Sequence, residues 1–214
     1  MKRDVQSGVL LIAGALAFVG VMLLHPTAHG LLGGGAAAER LGILNRLVHG
    51  VALAAAPAMF LGMLGLHARL AASRTSLAAL VAWGFGTVTV AGAAIASGFV
   101  APGVIEHIKA ANNSRVPDAF LLYTGLWNQG FAAVNVVAWG SAIVLWSAAI
   151  LRTRSLPAWT GTIGVVVGSL VLLGFLSGHV RTDVHGYGIL TFLEAAWLLS
   201  VGIALSLPSP GEAR

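Results

Sequence analysis

Long apolar runs alternate with short polar segments along the whole chain. The runs, numbered here span 1 to span 6, are Gly8–Leu24, Leu41–Leu66, Leu77–Ala101, Asp118–Leu151, Pro157–Ser177 and Gly188–Leu207. About 20 apolar residues are enough for a helix to cross the hydrocarbon core of a bilayer. The pattern therefore predicts an all-α polytopic membrane protein, a bundle of six transmembrane helices that forms one domain over residues 1–214.

Prolines mark several ends of these runs. Pro26 ends span 1, Pro102 closes span 3, and Pro157 opens span 5, where a helix does not need its missing N–H. Gly103–Pro117 is then the longest polar loop. Span 1 exceeds the roughly 7–15 apolar residues of a signal peptide, so we expect it to be a membrane helix.

Composition supports the membrane assignment. The chain is 57% hydrophobic and 9% charged, whereas soluble domains have about 25% charged residues. The net charge of +5 does not indicate nucleic acid as a partner, because the basic residues stand mostly at the ends of apolar runs. The expected partner is the lipid bilayer, with a small-molecule or ion ligand as a further candidate; the oligomeric state stays open. Cysteine is absent, which excludes disulfides and thiolate nucleophiles.

One face of the membrane receives most of the histidines. With the N-terminus inside, six of the seven histidines lie in the outer half, namely His25, His29, His49, His107, His179 and His185. Residues 178–187 are expected to form an extended hairpin, in which alternate side chains share a side. His179, Asp183 and His185 are then candidate metal ligands, while Arg181 favours an anionic or organic ligand. The alternative is a solvated loop in which Arg181 pairs with Asp183.

Two polar side chains inside the spans are further candidates. His49 in span 2 is either a packing residue or a ligand of one haem shared with His179 or His185; two bis-histidine haems are excluded because the inner half has one histidine, His67. Asn135 in span 4 either holds helices together or lines a pocket.

Glu194 is the strongest single signal, because it lies about 9 Å inside span 6, where an ionised, unpaired carboxylate is costly. It is expected to face the bundle interior, with Asn45, His49, Asn128, Asn135 or Arg181 as its partner. Gly164-x-x-x-Gly168 in span 5 is expected to pack helices within the bundle.

The opening of span 5 carries a family resemblance. Its Arg154-Ser-Leu-Pro157-Ala-Trp159-Thr-Gly161-Thr-Ile-Gly164-Val-Val-Val-Gly168 resembles a family of bacterial six-span integral membrane proteins of unassigned function. The resemblance implies the fold and the membrane location, and it transfers no catalytic residue.

These observations favour a ligand-binding or proton-handling membrane protein, an accessory or a carrier, with an outer-facing pocket of His49, Asn135, Arg181, Glu194 and the hairpin residues. One alternative is a membrane-embedded hydrolase that uses zinc. Another is a structural or assembly subunit of a membrane complex. The sequence favours no cofactor, with zinc or a single haem as the candidates.

Orientation follows from the basic residues. With the N-terminus inside the cytoplasmic (inner) membrane, the inner segments hold seven of the 12 Lys and Arg residues, and the charges on the short loops stand close to span ends. We predict that reporter fusions at Ala72 and Arg154 are cytoplasmic and that one at Asn113 is external. An external signal at Ala72 would reverse this topology.

Overall fold

A computed structural model describes residues 4–27, 35–111 and 116–207. Its α-helices are α1 (Val5–Leu24), α2 (Gly35–Arg69), α3 (Arg74–Ile95), α4 (Ala101–Ala110), α5 (Asp118–Thr153), α6 (Ala158–Leu176) and α7 (Val184–Ser206), and a π-helical turn, Ala96–Val100, joins α3 to α4. The described part of the chain contains no strand, which confirms the all-α prediction.

Six helices are long and apolar enough to span a membrane: α1, α2, α3 with its continuation into α4, α5, α6 and α7. Large apolar side chains cover their outer surfaces, for example Val88, Leu173 and Leu176 at 65–71% exposure. Water would penalise such a surface, whereas lipid would not. The chain is therefore a multi-pass membrane protein.

The spanning helices pack in a closed ring that follows the chain order. Each of α1, α2, α3, α5, α6 and α7 packs against the next, and α7 closes the ring on α1. Short connections make successive helices antiparallel. One end of the bundle, the Val5 end, carries the start of α1 and the end of α7. The opposite end, the His25 end, carries α4 and the turn between α6 and α7.

Several helices extend beyond the predicted spans, most clearly after span 3. The prediction that Pro102 closes this span and begins a polar loop is wrong, because the helix continues to Ala110. A proline inside a regular helix clashes with the carbonyl four residues earlier, here that of Gly98. The preceding π turn accommodates it: the Ala101 N–H donates to the Ala96 carbonyl, five residues back.

The seam between α3 and α5 forms the centre of the bundle. The indoles of Trp83 and Trp139 stack with centroids 4.1 Å apart and 5° between their planes. Trp139 Nε1 also donates to the Trp83 carbonyl at 3.2 Å. Trp146 adds a bond from Nε1 to Ser76 Oγ at 3.0 Å. The N–H of a buried tryptophan usually finds an acceptor. Helix α3 provides one each for Trp139 and Trp146, whereas the Nε1 of Trp83 has none among the described residues.

Glycines allow the helices to approach closely. A Cβ at Gly164 would overlap Ser147 of α5 and Trp197 of α7, and one at Gly168 would lie 3.0 Å from the Gly140 carbonyl of α5. The Gly164-x-x-x-Gly168 motif thus packs inside the bundle, as expected from the sequence.

Two glycines of α3 provide a matched test of this packing. A Cβ at Gly86 would overlap the Trp139 indole, whereas one at Gly84 would meet only Phe60, at an ordinary 3.5 Å. We expect Gly86→Ala to destabilise the protein by about 1–3 kcal/mol and Gly84→Ala to change its stability by less than about 0.5 kcal/mol. Thermal unfolding in detergent measures both, and equal melting temperatures would contradict this packing.

Candidate binding cavity

A large cavity opens at the His25 end of the bundle. Its volume is about 1090 Å³, and its wall comes from α1, α2, α3, the π turn, α4, α5 and the start of α7. Most of this wall is apolar, including Phe18, Val90 and Phe131. The polar side chains that line it include His25, Asn45, His49, Ser97, Asn128, Gln129, Asn135 and Tyr187. An apolar cavity with a few polar groups is typical of sites for small molecules.

Two histidines from different helices meet at this wall. The rings of His25, just after α1, and His49 of α2 lie edge to face with centroids 5.0 Å apart. His25 Nδ1 bonds to the Pro26 carbonyl at 3.0 Å, and His49 Nδ1 bonds to the Asn45 carbonyl at 2.7 Å. A carbonyl can only accept, so each Nδ1 carries the proton. Each Nε2 of the neutral rings is then an acceptor, and neither has a hydrogen-bond donor among the described residues.

The surroundings of the pair favour the neutral form of His25 and make room for His49. Burial lowers the pKa of His25 below 6.5, and the bond to the Pro26 carbonyl opposes this only in part. His49 is 7% exposed and packs against the π turn. A Cβ at Gly98 would overlap the Cβ and Cγ of His49. The missing side chain at Gly98 therefore makes the space that this imidazole occupies.

Asn45 and Asn128 tie the π turn to its neighbours. Asn45 Nδ2 donates to the Ser97 carbonyl at 3.0 Å, and Ser97 Oγ donates to Asn128 Oδ1 at 2.6 Å. A π turn leaves its backbone less regularly bonded than an α-helix does. These two amides thus fix the turn against α2 on one side and α5 on the other.

Asn135 and Tyr187 form the floor of the cavity. The Tyr187 hydroxyl of α7 donates to Asn135 Oδ1 at 2.7 Å, and Asn135 Nδ2 donates to the Gly86 carbonyl at 3.2 Å. The chain joins α7, α5 and α3, so Asn135 both lines the cavity and holds helices together. The two roles that the sequence left open coexist in this residue.

Glu194 lies below this floor, in the interior of the bundle. It is 2% exposed, which confirms that it faces inward. Helix α7 begins earlier than predicted, so Glu194 lies about 15 Å along it, deeper than the sequence suggested. Its Oε1 has no hydrogen-bond partner among the described residues. The expected bond to Asn45, His49, Asn128, Asn135 or Arg181 is thus not present, and Glu194 does not line the cavity. It lies seven residues, or about two turns, beyond Tyr187 on the same face of α7.

The predicted extended hairpin is wrong, because α7 begins at Val184 and places His185 on a helix. Asp183 caps this helix, with its Oδ1 accepting from the Gly186 N–H at 3.0 Å. That bond lowers the pKa of Asp183, and Arg181 lowers it further. Arg181 Nε bonds Asp183 Oδ2 at 3.0 Å and is 81% exposed. The pairing of Arg181 with Asp183, one of the two readings of the sequence, is thus the one observed.

The three candidate metal ligands, His179, Asp183 and His185, do not form a metal-binding group among the described residues. His179 and His185 are exposed, and His179 Nδ1 bonds Ser177 Oγ at 2.9 Å. In the part of the chain that the structure describes, no three His, Cys, Asp or Glu side chains are arranged to hold a metal ion. The ring that contacts His49 is His25, rather than the predicted haem partners His179 or His185. His29, four residues after His25 in the sequence, lies outside the described residues.

An exposed ion pair stands at the rim of the cavity. Arg46 of α2 bonds Glu106 of α4, and both line the opening with Glu39 and Asp183. The acidic and basic groups thus stay at the rim, while the interior of the cavity holds neutral polar groups.

Sequence reasoning missed the His25–His49 pair, the Tyr187–Asn135 bond and the role of Gly98. The signal for His25 was its position at the end of span 1, at the same depth as His49 near the start of span 2. Gly98 gave no signal, because its importance depends on the helix that faces it.

Comparisons add no relative: no family model, curated protein or solved structure matches the chain. The resemblance to the bacterial six-span family therefore stays a prediction.

The lowered pKa of His25 predicts a dependence of stability on pH. As the pH falls below 6.5, His25 becomes protonated in the unfolded chain before it does in the folded chain, because its folded pKa is lower. Protonation therefore favours the unfolded state, and the stability present above pH 6.5 is lost as the pH falls toward the folded pKa. We expect His25→Asn to lose less melting temperature between pH 7 and pH 5 than the wild type does. His107→Asn, at an exposed position of α4, is the control. Identical pH profiles for wild type and His25→Asn would contradict the burial of this ring.

Proposed function

We propose that the protein is a membrane-embedded carrier or accessory protein that binds a lipophilic small molecule with a hydrogen-bond-donating head group. The observation that carries this proposal is the pair of Nε2 acceptors on His25 and His49, which have no donor among residues 4–27, 35–111 and 116–207 and lie in the wall of a largely apolar cavity. The volume of about 1090 Å³ is at the upper end of the roughly 300–1,000 Å³ range of small-molecule sites.

The tautomers of the two histidines define the chemistry of the head group. Because both Nδ1 protons are committed to backbone carbonyls, a neutral ring can only accept from the ligand. A hydroxyl or an N–H meets this requirement, whereas an ether or ketone oxygen does not. The polar side chains that the structure describes in the interior are neutral, which favours an uncharged head group.

The apolar part of the cavity wall indicates that the rest of the ligand is apolar. Phe18, Val21, Val90 and Phe131 contribute apolar wall around the histidine pair. Burying hydrocarbon there gains affinity in proportion to the apolar area. The ligand is therefore an amphipathic molecule with one small polar end.

The metal-dependent hydrolase is less well supported. Zinc hydrolases hold the metal with three protein ligands, and the described residues bring together two histidines without a third ligand. A role for Glu194 in proton handling is compatible with ligand binding, because this carboxyl lies two turns along α7 from Tyr187, whose hydroxyl forms the cavity floor with Asn135.

For location, we propose the cytoplasmic membrane with the Val5 end inside. Arginines at this end include Arg69, Arg74, Arg152 and Arg154, as the positive-inside rule expects. The cavity then opens toward the outer face.

Two amphiphiles that differ only in the donor proton test the proposal. We expect 1-hexadecanol to bind saturably to the protein in lipid nanodiscs. Its methyl ether should bind about threefold to tenfold more weakly, because it cannot donate the hydrogen bond to an imidazole. Apparent dissociation constants are compared at equal mole fraction in the bilayer, so that partitioning cancels.

Matched glycine variants locate the site. Gly98→Ala should push His49 out of place and reduce the affinity for hexadecanol, whereas Gly103→Ala, which meets nothing within 4 Å, should not. Equal binding of alcohol and ether, or an unchanged affinity in Gly98→Ala, would overturn the proposed site.

A further inference from the structure

A second, smaller depression lies beside the cavity, between the π turn and α5. We call it the lateral groove; its volume is about 350 Å³. Its lining is almost wholly apolar and rich in aromatic rings, with Phe120, Tyr123, Trp127 and Phe131 on α5. Tyr123 and Trp127 are 60% and 46% exposed on the outer surface of the bundle. The groove thus opens sideways, where lipid surrounds the helices.

The groove and the cavity share a wall. The residues that line both are Ser97, Ala101, Phe120, Thr124, Asn128 and Phe131. The polar link across this wall is the bond from Ser97 Oγ to Asn128 Oδ1, which joins the π turn to α5. Small residues complete the π-turn side of the wall, since Ala96 and Ala101 have only methyl side chains.

We propose that the lateral groove holds the hydrocarbon chain of the ligand and that the Ser97–Asn128 bond closes a side passage from the bilayer to the cavity. This inference rests on the proposed function and names the ligand class more narrowly: a long-chain alcohol with a single tail. The head group reaches the imidazoles of His25 and His49, and the tail lies across the shared wall against Tyr123 and Trp127.

Three features support a hydrocarbon chain in this groove. Its walls offer aromatic faces and methyl groups with hardly any polar atom. It shares a wall with the cavity that holds the hydrogen-bond acceptors. It also opens toward the hydrocarbon core of the membrane, where the lipid chains lie. A protein partner would need a broader surface than a depression of this size.

Ser97 and Asn128 can separate at a low cost in free energy. One neutral hydrogen bond closes the shared wall, and π turns often mark functional sites in helices. Opening it exposes one hydroxyl and one amide, which can bond to the passing head group.

Photolabelling tests where the tail lies. The probe is 1-hexadecanol with a diazirine at the end of its chain, in nanodiscs with full-length protein, followed by peptide mass spectrometry. We expect adducts on Ile95, Val100, Tyr123 or Trp127, which line only the groove, and at least a tenfold loss of these adducts with excess unlabelled hexadecanol. Labelling of Leu173 on α6, also exposed at 65%, should not be competed.

The outcomes separate the two proposals. If no labelling is saturable, the proposed function fails. If labelling is saturable but confined to α1 and α2, for example at Met22, the cavity stands and the lateral groove does not hold the tail. Unlabelled hexadecanol and unlabelled geranylgeraniol are compared as competitors of the labelling, to show whether the groove prefers a saturated or an isoprenoid chain. Stronger competition by either one supports a single-tailed alcohol.

Crosslinking tests the passage. The chain has no cysteine, so a double variant, S97C with N128C, can be bridged selectively by a short bifunctional thiosulfonate reagent. We expect the bridge to slow the uptake of the probe into the cavity at least tenfold and a reductant to restore it. The control is T75C with R152C, which bridges the same two helices at the Val5 end, where Arg152 bonds Thr75.

An unchanged uptake rate in the bridged S97C/N128C protein would overturn the passage. An equal slowing in both bridged proteins would also overturn it, because general stiffening of α3 and α5 would then explain the effect.

Discussion

Two backbone carbonyls of α3 accept hydrogen bonds from side chains of α5: Trp83 from the Trp139 indole, and Gly86 from Asn135. Both carbonyls lie inside the helix, and they also accept from the hydroxyls of Thr87 and Thr89, so the bonds from α5 are additional ones. These bonds require the helices to lie close together, and Gly86 permits this because it has no side chain beneath Trp139. Asn135 in turn receives the Tyr187 hydroxyl of α7. The closed floor of the cavity therefore depends on the α3–α5 seam.

The charged side chains of the cavity lie at its rim, and uncharged polar side chains lie inside. Arg46 pairs with Glu106 at the rim, and Asp183 is committed to Arg181 and to the start of α7. Within the wall, the amides of Asn45 and Asn135 bond to backbone carbonyls. The two imidazoles are different, because their backbone bonds use the Nδ1 donors, while the Nε2 acceptors have no donor in the part of the chain that the structure describes. This imbalance between donors and acceptors gives the site its preference for one kind of head group.

Much of the fold follows from the sequence, because apolar length and proline position act locally. All six spans, the inward position of Glu194 and the internal packing of Gly164 could be predicted in this way. The continuation through Pro102 could not, since it depends on a π turn that the residue pattern does not encode. The cavity was also only partly predictable: His49 and Asn135 were identified, but the pairing of His49 with His25 depends on how α1 packs against α2. Arg181 stood out as a charge in an apolar chain, yet a local ion pair with Asp183 explains it.

The π turn also sets the rotational phase of everything that follows it. A π turn contains one residue more than the corresponding turn of an α-helix. Because each residue of an α-helix turns the chain by about 100°, this extra residue rotates the following segment by about 100° relative to an uninterrupted helix. In that phase, α4 presents Glu106 to Arg46, and Gly98 faces His49. Loss of one residue between 96 and 100 would rewind the turn and carry Glu106 around the axis, away from its partner. A single-codon deletion at this place would therefore act on the rim and the wall together, while the hydropathy of the span would hardly change.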